Sequence, residues 1–268
     1  MGNILDKIIE DKKLEVKERK SQTSLDELKD KISDMPKCRN FYKAVTDPNP
    51  RGINVIAEVK KASPSAGLIR EDFDPVVIAQ TYKKCGANAI SVLTDEKYFQ
   101  GKLEYVKLVH DAIDLPVLRK DFIVDEWQIF EARAASADAI LLIADALSYD
   151  ELMDMMIVAA DLTLSVLLEV HNEETLLKIR NLLEYPSQGV SVLGINNRDL
   201  TTMKVDLDTT GKLAKLLRDT DKLVAESGIK TRSDVEKLME VGVKAVLIGQ
   251  TLCESPDIEE KFIELFGE

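Results

Sequence analysis

The sequence predicts an α/β fold, a (β/α)8 TIM barrel with an N-terminal helical extension, on three observations. Eight short, β-branched apolar runs begin 22 to 34 residues apart, which is the length of a strand-helix unit and too long for hairpins. The runs are almost continuously apolar, as parallel strands buried on both faces require. No GxGxxG follows the first run, where Lys60-Lys61-Ala62-Ser63-Pro64-Ser65-Ala66-Gly67 stands instead, so a closed barrel is favoured over a doubly wound nucleotide fold. The 268 residues suit a single domain, because such barrels run to about 250 residues.

Residues 1–45 form the extension, rich in Lys, Glu and Asp. Ile4, Ile8 and Ile9, then Leu25, Leu28 and Ile32, recur at helical spacing and predict two amphipathic helices whose charges form a solvated face. Ser24 with Glu27 three positions later is a capping box for the second. An amphipathic segment ahead of the first strand is placed to fold over the barrel mouth. Asp47-Pro48-Asn49-Pro50-Arg51-Gly52 breaks the pattern and links into the barrel. The strands follow as Val55–Val59, Ala89–Leu93, Val117–Lys120, Ala139–Ile143, Ser165–Val170, Val192–Asn196, Leu223–Ser227 and Ala245–Ile248. Between them, Asp74-Pro75 opens a helix that Cys85-Gly86 ends. Ser148 with Glu151 is a second capping box, and Asn172 before Glu173 and Glu174 caps another helix.

A net charge of -12 argues against nucleic-acid binding, which rests on Lys and Arg neutralising phosphates. An anionic substrate must be held by a local basic cluster. No apolar run approaches the roughly 20 residues that span a bilayer, and no signal peptide is read. Cys38, Cys85 and Cys253 suggest no disulfide framework, so reduced thiols in a cytoplasmic protein are expected. Only His110 and His171 are present and no HExxH or CxxC occurs, so no metal is expected. His110 reads as a mid-helix surface or packing residue, and His171 as structural or adjacent to the site.

Barrel sites lie at the C-terminal strand ends. Polar residues stop most strands there, including Glu58 and Lys60, Lys120, Glu169, Asn196, Glu226 and Ser227. Alternate side chains face the interior, so Ile56 shares a face with Glu58, Leu118 with Lys120, Leu167 with Glu169 and Gly194 with Asn196. An apolar lower core under a charged mouth, repeated in strand after strand, favours a site over scattered ion pairs. A lysine that donates a proton near neutrality is expected to have its pKa lowered by burial and a second ammonium. Schiff-base chemistry at Lys120 or Lys60 is a further option. Ser227-Gly228 and Gly249 after the last two strands, with Ser63 near the first, suggest a phosphate ester substrate.

The stretches IAEVKKASPSAG (56–67), SVLTDEKYFQG (91–101), PVLRKDFIVDEWQI (116–129), LLEVHNEE (167–174), GINNRDL (194–200), VAESGI (224–229) and VLIGQTL (246–252) resemble the indole-3-glycerol-phosphate synthase family. The resemblance runs in order from the first strand to the last. It implies ring closure of a carboxyphenylamino-deoxyribulose phosphate, with release of CO2 and water and no cofactor, by a monomer or homodimer. Lys120 would be the general acid, Glu169 the base, and Lys60 an acid or the carboxylate's partner. Glu58 and Asn196 would orient these groups. Ser63, Ser227, Gly228, Gly249 and Gln250 would hold the phosphate. Phe99, Phe122, Arg198 and Glu226 would line the pocket, the rings against the anthranilate. Gln250 departs from the Glu or Ser expected there, and Ala62 from a frequent basic residue. Two rivals fit less well. A sugar-phosphate ketoamine isomerase would present paired Asp or Cys. A catalytically dead binding barrel has no need of the full Glu and Lys set.

Overall fold

The computed structural model describes residues 4–185, 189–200 and 202–267. Its eight barrel strands are β1 (Asn54–Val59), β2 (Ala89–Leu93), β3 (Val117–Lys120), β4 (Ala139–Ile143), β5 (Ser165–Val170), β6 (Ser191–Asn196), β7 (Leu223–Glu226) and β8 (Ala245–Ile248). Each pairs in parallel with its successor, and β8 closes on β1 from Asn54↔Ala245 to Ala57↔Ile248. Every expected strand boundary falls within one residue of the observed one. Ser227 lies past β7 rather than ending it, because its backbone turns to a left-handed φ of 65°.

The alternation along the strands builds two apolar layers. Ile56, Leu118, Leu141, Leu167, Val192, Val224 and Leu247 fill the barrel interior. The opposite parity, with Val55, Ala57 and Val59 on β1, packs against the surrounding helices. A helix that the sequence reading missed, α3 (Phe41–Thr46), adds Phe41 and Val45 to the interior cluster. It sits at the N-terminal end of the barrel, where Asn54 donates to the Asp47 carbonyl at 3.0 Å.

The outer helices keep their expected caps. Asp74 accepts from Val76 and Val77 to open α4 (Pro75–Lys84). α5 (Glu96–Phe99), α6 (Glu104–Ala112) and α7 (Trp127–Ala134) follow. Capping boxes open α8 (Tyr149–Asp161) and α11 (Arg232–Glu240), and Asn172 caps α9 (Glu173–Ile179). The remaining helices are α10 (Asp208–Ala214), α12 (Gln250–Cys253) and α13 (Ile258–Phe266). A short hairpin, Ala62–Ser63 against Gly67–Leu68, follows β1. His110 lies in the last turn of α6 as a packing residue. Among the described residues no helix is long and apolar enough to cross a membrane.

The extension forms α1 (Ile4–Gln22) and α2 (Leu25–Ile32), with the Ser24–Glu27 capping box in place. Its charged face is not wholly solvated. Leu5, Ile8, Lys12 and Val16 make the buried stripe of α1, while Leu14 is exposed. Lys12 is buried because carboxylates receive it: Glu15 at 2.7 Å, Asp95 at 2.8 Å and Asp121 at 3.0 Å. Leu28 and Val16 pack on Trp127, whose indole N–H donates to the Thr23 carbonyl. α1 thus runs across the C-terminal side of the barrel. Leu5 borders a small cavity beside Asp145 and His171, and Lys12 reaches the loops after β2 and β3.

Candidate active site

The strand ends converge on a cavity of about 1000 Å³ lined by Glu58, Lys60, Lys120, Glu169, Asn196 and Glu226. Leu141, Ile143 and Leu247 floor it, so the charged groups stand over an apolar base. Glu58 is buried in β1, and its carboxylate is 3.3 Å from Lys60 Nζ. From below, the Glu58 carbonyl accepts from the Tyr82 hydroxyl of α4 and from the Cys253 thiol. Asn196 accepts the Arg198 backbone N–H at 3.0 Å, which leaves its amide NH2 for the cavity.

Lys120 lies at the centre. Its Nζ is 3.4 Å from Glu169 Oε2 and 3.3 Å from Glu226 Oε2. Burial alone would discharge it, but Glu169, Glu226 and Glu58 outweigh burial and hold its pKa above the usual lysine value. The expectation of a lowered pKa is therefore corrected: the neighbours within reach are carboxylates. Burial also works against Glu169, yet Lys120 and His171 keep it ionised well below the usual carboxylate range. Glu226 goes the other way. Burial and the Glu169 charge raise its pKa above the usual carboxylate range.

Glu226, expected only as pocket lining, is thus a buried member of the central cluster. Val224, two residues before it, faces the interior, so strand parity carried that signal. The glycine at Gly194 makes the room: a Cβ there would lie 2.2 Å from Glu226 Oε1 and 3.1 Å from Leu167 Cδ1. Gly194→Ala is expected to displace the Glu226 carboxyl and lower kcat/KM at least about tenfold, or ~1.4 kcal/mol. Circular dichroism should remain that of the parent, and unchanged kinetics would show that the placement of Glu226 is immaterial.

Two aromatic rings, Phe99 of α5 and Phe122 after β3, lie 6.1 Å apart on the cavity wall, with Lys60 Nζ 5.5 Å from the Phe99 centroid. Their positions rest on buried acids. Asp95 caps α5 by accepting from Tyr98, and Asp121 accepts from the Phe122 N–H at 2.8 Å. Arg119, fully buried, and Lys12 pair with Asp121.

Opposite the rings, Ser227 and Gly228 line the cavity with successive left-handed φ angles of 65° and 84°. Gly249 and Gln250 line it at the start of α12, where a Cβ on Gly249 would meet Glu58 Oε1 at 2.5 Å. Lys230 and Lys261 line the cavity as well, with Asp234 and Glu254 among them and Lys261 paired to Glu264 at 2.8 Å. Arg198 also lines the cavity, its guanidinium donating to the Met203 carbonyl. Ser63 is placed differently from expectation. It is buried in the hairpin and accepts from Ala66, while Ser65 reaches the cavity. His171 lies adjacent to the site, its Nε2 3.3 Å from Glu169 Oε1.

The family model described as "Indole-3-glycerol phosphate synthase" matches residues 5–265. A protein of that name from Prochlorococcus marinus is 44% identical over 98% of this chain and 89% of its own length. One from Rhodopirellula baltica is 48% identical over 84% of both chains. Among solved structures, a mutant tryptophan synthase alpha-subunit from Pyrococcus furiosus superposes with a TM-score of 0.59 at 13% identity, covering 81% of this chain and 98% of that one. That likeness speaks to the barrel alone.

Proposed function

The chain belongs to the indole-3-glycerol phosphate synthase family, and from that premise we propose how its residues carry out the reaction. The enzyme is a carbon-carbon lyase of tryptophan biosynthesis. It closes the pyrrole ring of 1-(2-carboxyphenylamino)-1-deoxyribulose 5-phosphate, with loss of CO2 and water. The observation that carries the assignment of roles is the part-buried Lys120 ammonium between Glu169 and Glu226, in the cavity that the Phe99 and Phe122 rings also line.

The aryl ring packs against Phe99 and Phe122, where Lys60 Nζ is near enough to pair with its carboxylate. The phosphate lies at the opposite wall, against the backbone of Ser227, Gly228, Gly249 and Gln250, with Lys230 and Lys261 nearby. Binding the substrate by both ends bends the chain so that the carboxyl-bearing aryl carbon meets the ketone carbon. As that C–C bond forms, Lys120 gives its proton to the ketone oxygen. An alkoxide is far more basic than an amine, so a firmly held ammonium still delivers its proton there and does not lose it beforehand. The C–CO2 bond then breaks and its electron pair restores the aromatic ring. In dehydration Lys60 protonates the departing hydroxyl, and Glu169 removes a proton from the sugar carbon next to nitrogen. Asn196 donates to the hydroxyl, and Glu58 holds Lys60.

The three free cysteines suit the reducing cytoplasm, where we place the enzyme as a monomer or homodimer. Purified protein given the substrate without added metal or nucleotide is expected to develop indole fluorescence and release one CO2 per turnover. A folded protein that does neither would overturn the reading and direct the search to sugar-phosphate isomerisation.

A further inference from the structure

Glu169 lies between two cationic side chains, Lys120 on Oε2 and His171 on Oε1. The ring of His171 is braced from its other side, with Nδ1 2.8 Å from Asp145 Oδ2. Asp145 is itself fixed, since its Oδ1 accepts from the Asn172 amide at 2.8 Å and the Thr175 hydroxyl at 2.7 Å. Both imidazole nitrogens therefore face carboxylates, Nδ1 in a hydrogen bond and Nε2 at ion-pair distance, which favours the doubly protonated ring. Burial opposes that charge, but Asp145 and Glu169 outweigh it and push the His171 pKa up to about 10. Across a smaller cavity of about 570 Å³, the charged groups that share its walls with His171 are Asp199, Lys204 and Asp206 from the loop after β6. Glu226, with its pKa raised by burial and the nearby Glu169, is the other acid that bears on that carboxylate.

We infer that His171 is a positioning residue for the reaction: braced by Asp145, it holds the Glu169 carboxylate charged and aimed into the active cavity. Without that cation, Glu169 and Glu226 would be two buried acids facing one ammonium, and Glu169 would take up a proton at higher pH. A protonated Glu169 is no base, so the loss appears first on the acid side of the pH profile. The inference rests on the reading of Glu169 as the base in dehydration. The stabilising contribution of the raised His171 pKa is fully present below the unfolded value of about 6.5. It is lost as pH rises towards 10.

The test uses His171→Asn, which keeps a donor towards Asp145, and His171→Gln, which places a neutral donor towards Glu169. Both are expected to move the acid limb of kcat upwards by roughly one pH unit or more, with KM nearly unchanged. His171→Gln should keep the higher rate of the two, because its amide can donate to Glu169. Thermal denaturation shows which variants are folded, and either one suffices. An acid limb that stays at the parent position in a folded variant overturns the inference. Glu169→Gln, measured alongside, separates the two ideas. If it turns over normally, the assignment of Glu169 as base fails. If it is inactive while the His171 variants keep the parent profile, only the role of His171 fails.

Discussion

Lys120→Ala is expected to lower kcat by about three orders of magnitude or more, which is roughly 4 kcal/mol of barrier. The size follows from position. Lys120 Nζ is a part-buried cation at the centre of the cavity, and three carboxylates raise its pKa against burial. Water entering the space left by alanine supplies a far weaker acid, without orientation. KM should change less than kcat, because the rings and the phosphate loops that bind the two ends of the substrate are untouched. The fold should survive, because the raised pKa of Glu226 lets that acid take up a proton when the ammonium is gone. Single-turnover indole fluorescence with equal amounts of folded protein measures the effect. A variant within tenfold of the parent would remove Lys120 from the proton transfer and leave Lys60, 3.3 Å from Glu58, as the acid to test.

The sequence made the barrel legible because its strands are buried on both faces and so read as apolar runs, whatever their partners. Parity then placed Ile56 and Glu58, Leu118 and Lys120, and Leu167 and Glu169 on the interior face, as the structure has them. What escaped was contact between distant segments. Lys12 reads as one more charge on a helix, and only Asp95 and Asp121, more than eighty residues away, make it a buried one. The direction of the Lys120 pKa was misjudged for the same reason. Its nearest carboxylates come from β5 and β7, and a sequence does not say which strand ends point at one another. The short elements, α3, α5, α12 and the hairpin after β1, were missed because two to six residues hold too little periodicity to register.

The burial of Lys12 leads to the second large effect. Asp95 and Asp121 are nearly inaccessible to water, and each has the Lys12 ammonium within 3.0 Å. Burial opposes the charge of Asp121, yet Arg119 and Lys12 keep it ionised well below the usual carboxylate range. Lys12→Met retains most of the aliphatic stem and removes only the charge, leaving two buried acids with Arg119 alone. Breaking a buried pair from one side costs about 3–5 kcal/mol, because the abandoned charge has no water to replace its partner. Urea denaturation should show a loss of that size. The same acids carry the pocket rings, since Asp95 caps α5 ahead of Phe99 and Asp121 accepts from Phe122. KM is therefore expected to rise well below the melting range, while kcat, set by Lys120 and Glu169, changes less. Adding Asp95→Asn to Lys12→Met removes one of the orphaned charges and should recover a substantial part of the lost stability. A stability loss under about 1 kcal/mol, too small for an uncompensated buried charge, would mean that water reaches the cluster and that α1 rests on the barrel without bracing it.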